Sequence, residues 1–182
     1  MGKISDKKGV QQLLQLAKFY DLKKIVVSPG SRNAPLSISF SQSHDFECFM
    51  IPDERVAAFY ALGMAEQLNE PVAVVCTSGS AVLNYAPAVA EAFYRCIPLV
   101  VISADRPAQW IDQGDGQTIR QVGALSNHIL AETSLLETFI TPEDEQFNNS
   151  EIERVFSACL GNQKGPVHIN FPFNEPLYGT IE

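Results

Sequence analysis

The sequence predicts an α/β protein with three α/β/α layers around a central, mostly parallel sheet of six strands. Short apolar runs rich in Val, Ile and Ala alternate with longer segments of near-helical periodicity. The runs are continuously apolar, as in Val72–Cys76, which is typical of parallel strands covered on both faces. At 182 residues the length fits one domain, so we predict a single domain over residues 1–182.

Composition narrows the class of protein. The net charge of −8 argues against a nucleic-acid surface and against a general preference for anionic membranes. No apolar signal segment follows the N-terminus, and no apolar run reaches membrane-spanning length. The cysteines form no CxxC pair, so we expect reduced, buried thiols in a cytoplasmic protein without a transmembrane segment. They are Cys48, Cys76, Cys96 and Cys159.

The periodic segments give the predicted elements in order. Helices are predicted from Gly9 to Tyr20, from Asn33 to about Ser41, from Asp53 to Leu68, from the turn at Thr77–Ser80 to Arg95, and from Asn149 to Leu160. Strands are predicted at Lys24–Ser28, Phe46–Ile51, Val72–Cys76, Pro98–Ser103, around Leu136–Ile140, and at Val167–Phe171.

Two segments lack a clear pattern. Residues Ala104–Asn127 contain several glycines and glutamines and little periodicity, and a loop of that length in a compact domain is usually functional or disordered. The tail from Pro172 to Glu182 has two prolines and no clear element. We interpret this tail as a linker.

Four strand-to-helix turns carry polar residues, and ligands of open α/β sheets collect at the carboxyl ends of the strands. In the first turn, Gly30 allows close approach of a ligand, Ser31 can donate a hydrogen bond, and Arg32 offers a planar fork suited to a carboxylate. The alternative is a capped turn with a solvated arginine.

The second turn places Glu54 between a strand end and a helix start. Asp53 is a good N-cap, and acidic residues in a first helical turn complement the helix dipole. Two interpretations are therefore possible: both carboxylates only stabilise the helix start, or Glu54 also has a functional role.

The third turn, Thr77–Ala81, fails the G-x-S-x-G pattern of a nucleophile elbow, which leaves a close-approach loop or a helix cap. The fourth, Ala104–Pro107, places Arg106 just past a strand end. We interpret Gly114–Gly116 as a turn and predict no metal ligand in this chain. The three histidines are far apart in sequence, without zinc-ligand spacing: His44, His128 and His168.

Together the turns resemble one family. They are similar to the N-terminal pyrimidine-binding domain of 2-succinyl-5-enolpyruvyl-6-hydroxy-3-cyclohexene-1-carboxylate synthase, over almost the whole chain. The motifs that carry the resemblance occur in this order: Ser28-Pro29-Gly30-Ser31-Arg32, Asp53-Glu54-Arg55, Thr77-Ser78-Gly79-Ser80-Ala81, Ala104-Asp105-Arg106-Pro107 and Gln117-Thr118-Ile119-Arg120-Gln121.

The resemblance implies a transferase of menaquinone biosynthesis that uses thiamine diphosphate and a metal, Mg²⁺ or Mn²⁺. Such an enzyme decarboxylates 2-oxoglutarate, releases CO2 and adds the succinyl unit to isochorismate. It also implies a homo-oligomer, a dimer or tetramer, with no nucleic-acid partner. The family's middle and diphosphate-binding domains are missing here, so we expect this chain alone to be inactive.

The resemblance also assigns roles to residues. Glu54 would be the catalytic acid that bonds to the aminopyrimidine ring nitrogen and favours the imino tautomer of the cofactor. Cofactor binding is further assigned to Ser78, Gly79 and Asn84. Substrate binding is assigned to Ser31, Arg32, Arg106, Gln117 and Arg120, because arginine captures carboxylates in a bidentate manner.

Two alternatives stay open at this point. The first is the pyrimidine domain of another thiamine diphosphate enzyme, of the acetolactate synthase or sulfopyruvate decarboxylase type. The second is a non-catalytic, flavodoxin-like binding module, which would need a phosphate loop at the first turn. The first turn, with Pro29 and Arg32, does not match the sequence of such a loop.

Overall fold

The computed structural model of the protein describes residues 2–182. Its central sheet has six strands: β2 (Lys24–Val27), β3 (Glu47–Met50), β4 (Val72–Cys76), β5 (Leu99–Asp105), β6 (Glu132–Ser134) and β7 (Val167–Pro172). Their order is β3-β2-β4-β5-β7-β6, and every neighbouring pair is parallel. A separate antiparallel pair joins β1 (Ile4–Ser5) to β8 (Thr180–Ile181) near the two ends of the chain.

Five helices cover the central sheet on both faces: α1 (Lys8–Phe19), α2 (Ala34–Gln42), α3 (Glu54–Leu68), α4 (Ala86–Tyr94) and α5 (Pro142–Leu160). Successive side chains of a strand point to opposite faces. In β4, Ala73 and Val75 therefore join the core beneath α1, α2 and α5, whereas Val72, Val74 and Cys76 join the core beneath α3 and α4. The predicted three-layer α/β/α fold is confirmed.

Two predictions between residues 130 and 160 need correction. The strand expected around Leu136–Ile140 lies earlier, at β6, whose Glu132 pairs with His168 of β7. The helix expected from Asn149 starts at Pro142, because Asp144 Oδ2 accepts hydrogen bonds from the Ile140 and Thr141 N–H groups and closes a capping box. The first two turns of α5 are polar, so hydrophobic periodicity did not reveal them.

The segment after Thr77 also differs from the prediction of one continuous helix. Gly79–Tyr85 forms a 3₁₀-helix, and α4 begins only at Ala86. Pro87 lies in the first turn of α4, where its missing N–H costs no hydrogen bond. The 3₁₀ segment holds the polar turn at the sheet edge before the regular helix starts.

The C-terminal tail is packed, which contradicts its interpretation as a linker. Phe173 is fully buried and stacks on Phe171 with ring centroids 4.6 Å apart, and Leu177 is buried as well. The tail ends in β8, which pairs with β1. The buried side chains hold the tail against the domain, and the β1–β8 pair joins the two ends of the described chain.

The cysteines are free, but they are not all buried. Cys76 and Cys159 are buried, whereas Cys48 is half-buried and Cys96 is exposed, which corrects the expectation for the last. Burial raises the pKa of Cys48 to about 11 and that of Cys159 to about 12. Within residues 2–182, no helix is long and apolar enough to cross a membrane.

Candidate active site at the carboxyl edge of the sheet

The four polar turns follow four strands that are consecutive neighbours in the sheet. In sheet order they leave β3 at Glu54, β2 at Ser31, β4 at Ser78 and β5 at Arg106. Because these strands are parallel, all four turns emerge at the same edge. These four residues bring one carboxylate, two hydroxyls and one guanidinium to that edge of the sheet.

The first turn is fixed to its neighbours by short contacts. Ser28 Oγ donates to the Ile51 carbonyl at 2.9 Å, and Asn33 Nδ2 donates to the Ser28 carbonyl at 2.9 Å. A Cβ placed on Gly30 would lie 2.5 Å from Thr77 Cβ. Only glycine therefore lets the first and third turns pack this closely.

Glu54 is the first residue of α3 and is half-buried. Asp53 caps the helix, because its Oδ1 accepts the Val56 N–H at 2.9 Å. Burial raises the pKa values of Cys76 and Tyr85, and the charge of nearby Glu54 raises them further. The capping role predicted for Asp53 is thus confirmed, and Glu54 lies close to Cys76 at the end of β4.

The third turn forms a narrow cradle. Gly79 has φ +86°, and a Cβ there would lie 2.8 Å from the Gln117 Cα, so the backbone approach requires glycine. Ser78 Oγ is buried and has no hydrogen-bond partner among residues 2–182. Asn84 is exposed and donates from Nδ2 to the Ser80 carbonyl at 3.0 Å.

Two arginines, Arg32 and Arg106, line a cavity of about 290 Å³ that Pro107, Gln109, Trp110, Asn174 and Glu175 also line. Arg32 is buried, its Nη1 donates to the Phe173 carbonyl at 2.9 Å, and its Nη2 lies 3.1 Å from Glu175 Oε1. Burial lowers the pKa of Arg32, the charge of Arg106 lowers it further, and Glu175 opposes both. The guanidinium carbon of Arg106 lies 6.0 Å from the Trp110 ring centre.

The remaining predicted substrate ligands lie nearer the solvent. Ser31 and Gln117 are exposed at the same edge, where a ligand could reach them. Arg120 is also exposed and pairs with Asp112 at 2.8 Å, outside the set of residues that line the arginine cavity. The structure therefore brings Arg32 and Arg106 together and leaves Arg120 on the surface.

Sequence reasoning missed a buried polar network behind the turns. Ser103 Oγ lies 2.7 Å from His168 Nε2, and His168 Nδ1 lies 2.7 Å from Glu132 Oε1. Gln121 donates to Asn170 Oδ1 at 2.9 Å. The available signal was the presence of polar residues inside the otherwise apolar strands β5 and β7.

The protein's donor groups fit a polar ligand at this edge. Besides Ser78 Oγ, the buried Nε atoms of Arg32 and Arg106 have no hydrogen-bond partner among the described residues. Buried polar atoms without a partner are costly and mark places where another group completes the bonding. Within residues 2–182, no three His, Cys, Asp or Glu side chains come together as a metal-binding group. Gly114–Gly116 lies in a turn, as predicted.

A family model described as "Thiamine pyrophosphate enzyme, N-terminal TPP binding domain" matches residues 7–124. The chain belongs to this family. Membership in this thiamine pyrophosphate enzyme family favours the thiamine-enzyme interpretation over the flavodoxin-like module. The matched region includes all four polar turns and the segment Gln117–Gln121.

Curated relatives support the resemblance found in the sequence. The chain is 54% identical over 176 residues to the 2-succinyl-5-enolpyruvyl-6-hydroxy-3-cyclohexene-1-carboxylate synthase of Porphyromonas gingivalis, covering 97% of this chain and 30% of the relative. It is 54% identical over 171 residues to the synthase of Flavobacterium johnsoniae, covering 94% of this chain and 30% of the relative. The chain thus spans about a third of the length of these relatives.

A solved structure supports the fold of this thiamine pyrophosphate enzyme domain. The thiamine diphosphate-dependent 4-hydroxybenzoylformate decarboxylase of Rhodococcus jostii RHA1 superposes with a TM-score of 0.75 at 20% identity. The match covers 90% of this chain and 30% of that chain. At this identity the similarity concerns the fold alone.

Proposed function

We propose that this chain is the pyrimidine-binding part of a thiamine diphosphate-dependent transferase. The complete enzyme would decarboxylate 2-oxoglutarate and add the succinyl unit to isochorismate, in menaquinone biosynthesis in the cytoplasm. The names of the relatives and the five sequence motifs support this assignment. The observation that carries it is the edge where one half-buried carboxylate, a glycine cradle and two arginines leave neighbouring parallel strands.

Glu54, Ser78, Gly79 and Asn84 would hold the cofactor in this proposal. Thiamine diphosphate, when bound, supplies an acidic carbon and an electron sink. The Glu54 carboxyl would hold a proton at the pyrimidine ring nitrogen, and Ser78 Oγ has the free bonding capacity that a second contact needs. The cradle at Gly79 would let the backbone come close to the ring, since no side chain stands in the way.

Arg32 and Arg106 would bind the substrate carboxylates. Both line the same cavity, and each lowers the cost of placing anionic groups on an otherwise acidic protein. Ser31 and Gln117 would add hydrogen bonds from the exposed rim. Arg120 would contribute only if its surface pair with Asp112 opened.

The other parts of the enzyme would lie outside this chain. The residues that hold Mg²⁺ or Mn²⁺ and the diphosphate would belong to further domains, in keeping with the threefold greater length of the relatives. The active enzyme would be a homodimer or a higher homo-oligomer. The isolated 182-residue domain would be folded and catalytically silent.

The experiment that tests the proposal is Glu54→Gln in the full-length protein. We expect exchange of the C2 proton of bound thiamine diphosphate, followed by NMR, to fall by about 100-fold or more, the scale of general acid–base effects. Asp53→Asn is the matched control, because Asp53 accepts the Val56 N–H and keeps an acceptor oxygen after substitution. Near-normal exchange in the Glu54 variant would refute the role of Glu54.

A second measurement tests whether the 182-residue chain needs further domains for catalysis. The purified 182-residue chain is mixed with thiamine diphosphate, Mg²⁺, isochorismate and 2-oxoglutarate, and CO2 release is recorded. We expect no turnover above the protein-free background. Turnover without any added polypeptide would show that the site is complete within this chain and would contradict the proposal.

A further inference from the structure

We propose that Gln121 is a positioning residue that locks together the two turns bearing the predicted cofactor and substrate ligands. Gln121 lies in the irregular segment after β5 and is fully buried. Its role for a ligand rests on the proposed function. The contact itself does not, so the two can be tested separately.

One carboxamide reaches the backbone of both turns. Gln121 Oε1 accepts the Gly79 N–H at 2.7 Å, and Nε2 donates to the Ala104 carbonyl at 3.0 Å. Gly79 belongs to the turn after β4, and Ala104 opens the Ala104–Pro107 segment at the end of β5, two residues before Arg106. Beyond the last paired residues of β4 and β5, Cys76 and Ser103, one side chain therefore bridges the two segments.

The orientation of the amide is fixed from both ends. A backbone N–H can only donate and a carbonyl can only accept, so the oxygen must face Gly79 and the nitrogen must face Ala104. The second amide hydrogen is directed to Asn170 Oδ1 at 2.9 Å. Neither an ionised glutamate nor a methionine can supply one acceptor and two donors in this geometry.

The network continues from Gln121 to Arg106. Asn170 Nδ2 donates to Asp105 Oδ2 at 2.9 Å, and Asp105 Oδ1 accepts the Arg106 N–H at 2.7 Å. Burial raises the pKa of Asp105, although both hydrogen bonds oppose that rise. The backbone that carries the substrate arginine is thus tied to the same amide that holds the cofactor cradle.

The segment also touches the cradle on its other side. The Gln117 backbone contacts Gly79 so closely that a Cβ at Gly79 would lie 2.8 Å from the Gln117 Cα. A segment anchored by Gln121 therefore places Gln117 against the cradle. Loss of the anchor should release the Gly79 turn while leaving the distant core packed.

The test compares two buried carboxamides of the 182-residue chain. Asn148 is also fully buried, and it binds the Leu136 N–H and carbonyl at 2.9 and 2.8 Å, remote from the four turns. We expect Gln121→Met to speed hydrogen exchange of the Gly79 amide about tenfold, and Asn148→Leu to leave that amide within about threefold of wild type. Unchanged exchange at Gly79 in Gln121→Met, or equal acceleration in both variants, would overturn the proposal.

A binding measurement adds a readout that a purely structural role would not move. In the full-length protein, calorimetric titration with thiamine diphosphate and Mg²⁺ should show about fivefold weaker affinity for Gln121→Met and a change within about twofold for Asn148→Leu. Faster Gly79 exchange with unaltered affinity would overturn the positioning role. If wild type itself bound no cofactor, the proposed function would fail, while the exchange experiment would still decide the contact.

A second variant covers the case in which Gln121→Met does not fold. Gln121→Asn keeps the carboxamide but is one methylene group shorter, so it cannot reach both the Gly79 N–H and the Ala104 carbonyl, and the Gly79 amide should again exchange about tenfold faster than in wild type. Exchange within about threefold of the wild-type rate in that variant would refute the proposal.

Discussion

Replacing Glu132 with glutamine removes a carboxylate that joins three parts of the fold. Its Oε1 lies 2.7 Å from Nδ1 of the fully buried His168, and its two oxygens accept the Gly123 N–H at 3.0 and 2.9 Å. Because a carboxylate can only accept, Nδ1 carries the hydrogen. A hydrogen bond to a charged group contributes about 1.5 to 3 kcal/mol and glutamine keeps one acceptor oxygen, so we expect a loss of about 2 kcal/mol at pH 7.

The pH dependence of that loss has a definite sign. Burial acts to raise the pKa of Glu132, but the hydrogen bonds from His168 and Gly123 outweigh burial and lower it overall. A carboxyl with a lowered folded-state pKa stabilises the fold fully above its unfolded value, about 4.3 for glutamate, and loses this contribution as the pH falls through the folded value. The difference between wild type and Glu132→Gln should therefore be largest above about pH 5 and shrink below about pH 4.

Urea unfolding followed by circular dichroism at several pH values measures the effect. In a thermal unfolding experiment on a chain of this size, the same loss of about 2 kcal/mol would lower the melting temperature by about 4 to 8 °C. Glu151→Gln is the matched control, since the pKa of Glu151 is also lowered by its hydrogen-bonded partner, the half-exposed Arg154. Such surface pairs contribute about 0 to 1 kcal/mol. A deficit in Glu132→Gln no larger than that of the control, or one independent of pH, would refute the reasoning.

Four further substitutions test other parts of the fold by urea unfolding. Gly79→Ala should cost at least about 1 to 2 kcal/mol because of its positive φ, whereas Gly63→Ala, in open space within α3, should stabilise by up to about 1 kcal/mol. Lys7→Met should cost about 1.5 to 3 kcal/mol, because it removes the charged partner of the half-buried Glu137 carboxylate, 2.6 Å away. Phe156→Ala should cost about 3 to 5 kcal/mol, since the ring is fully buried in the core beneath α1, α2 and α5. Equal effects for the two glycine variants, or a loss below about 1 kcal/mol for either of the other two, would contradict these assignments.

The sheet could be predicted because its signals are local. The apolar runs that became β2, β4, β5 and β7 are buried on both faces, so each run of Val and Ile identified a central strand by itself. The edge strand β6 has only three residues, of which Thr133 alone is buried, and it gave no such signal. Its position depends on pairing with β7, which no local pattern encodes.

Part of the candidate site could likewise be predicted from local sequence signals, and part could not. Glu54, Ser78 and Arg106 follow strand ends, and parallel strands deliver such residues to one edge, so their common edge of the sheet could be predicted from strand direction alone. The buried network behind them could not. Gln121 is separated from Gly79 by 42 residues and from Asn170 by 49, and only the folded chain brings the three together.

The arginine cavity shows why the tail was misjudged. Arg32 is 141 residues from Phe173, whose carbonyl it binds, and its charge is partly balanced by the exposed carboxylate of Glu175. A buried guanidinium needs such partners, since burial penalises the charged form. The apolar residues Phe173 and Leu177 supply the burial that holds this tail in place. A segment without periodicity can therefore form a wall of the site when a few large side chains anchor it, and the prolines that suggested a linker do not prevent this.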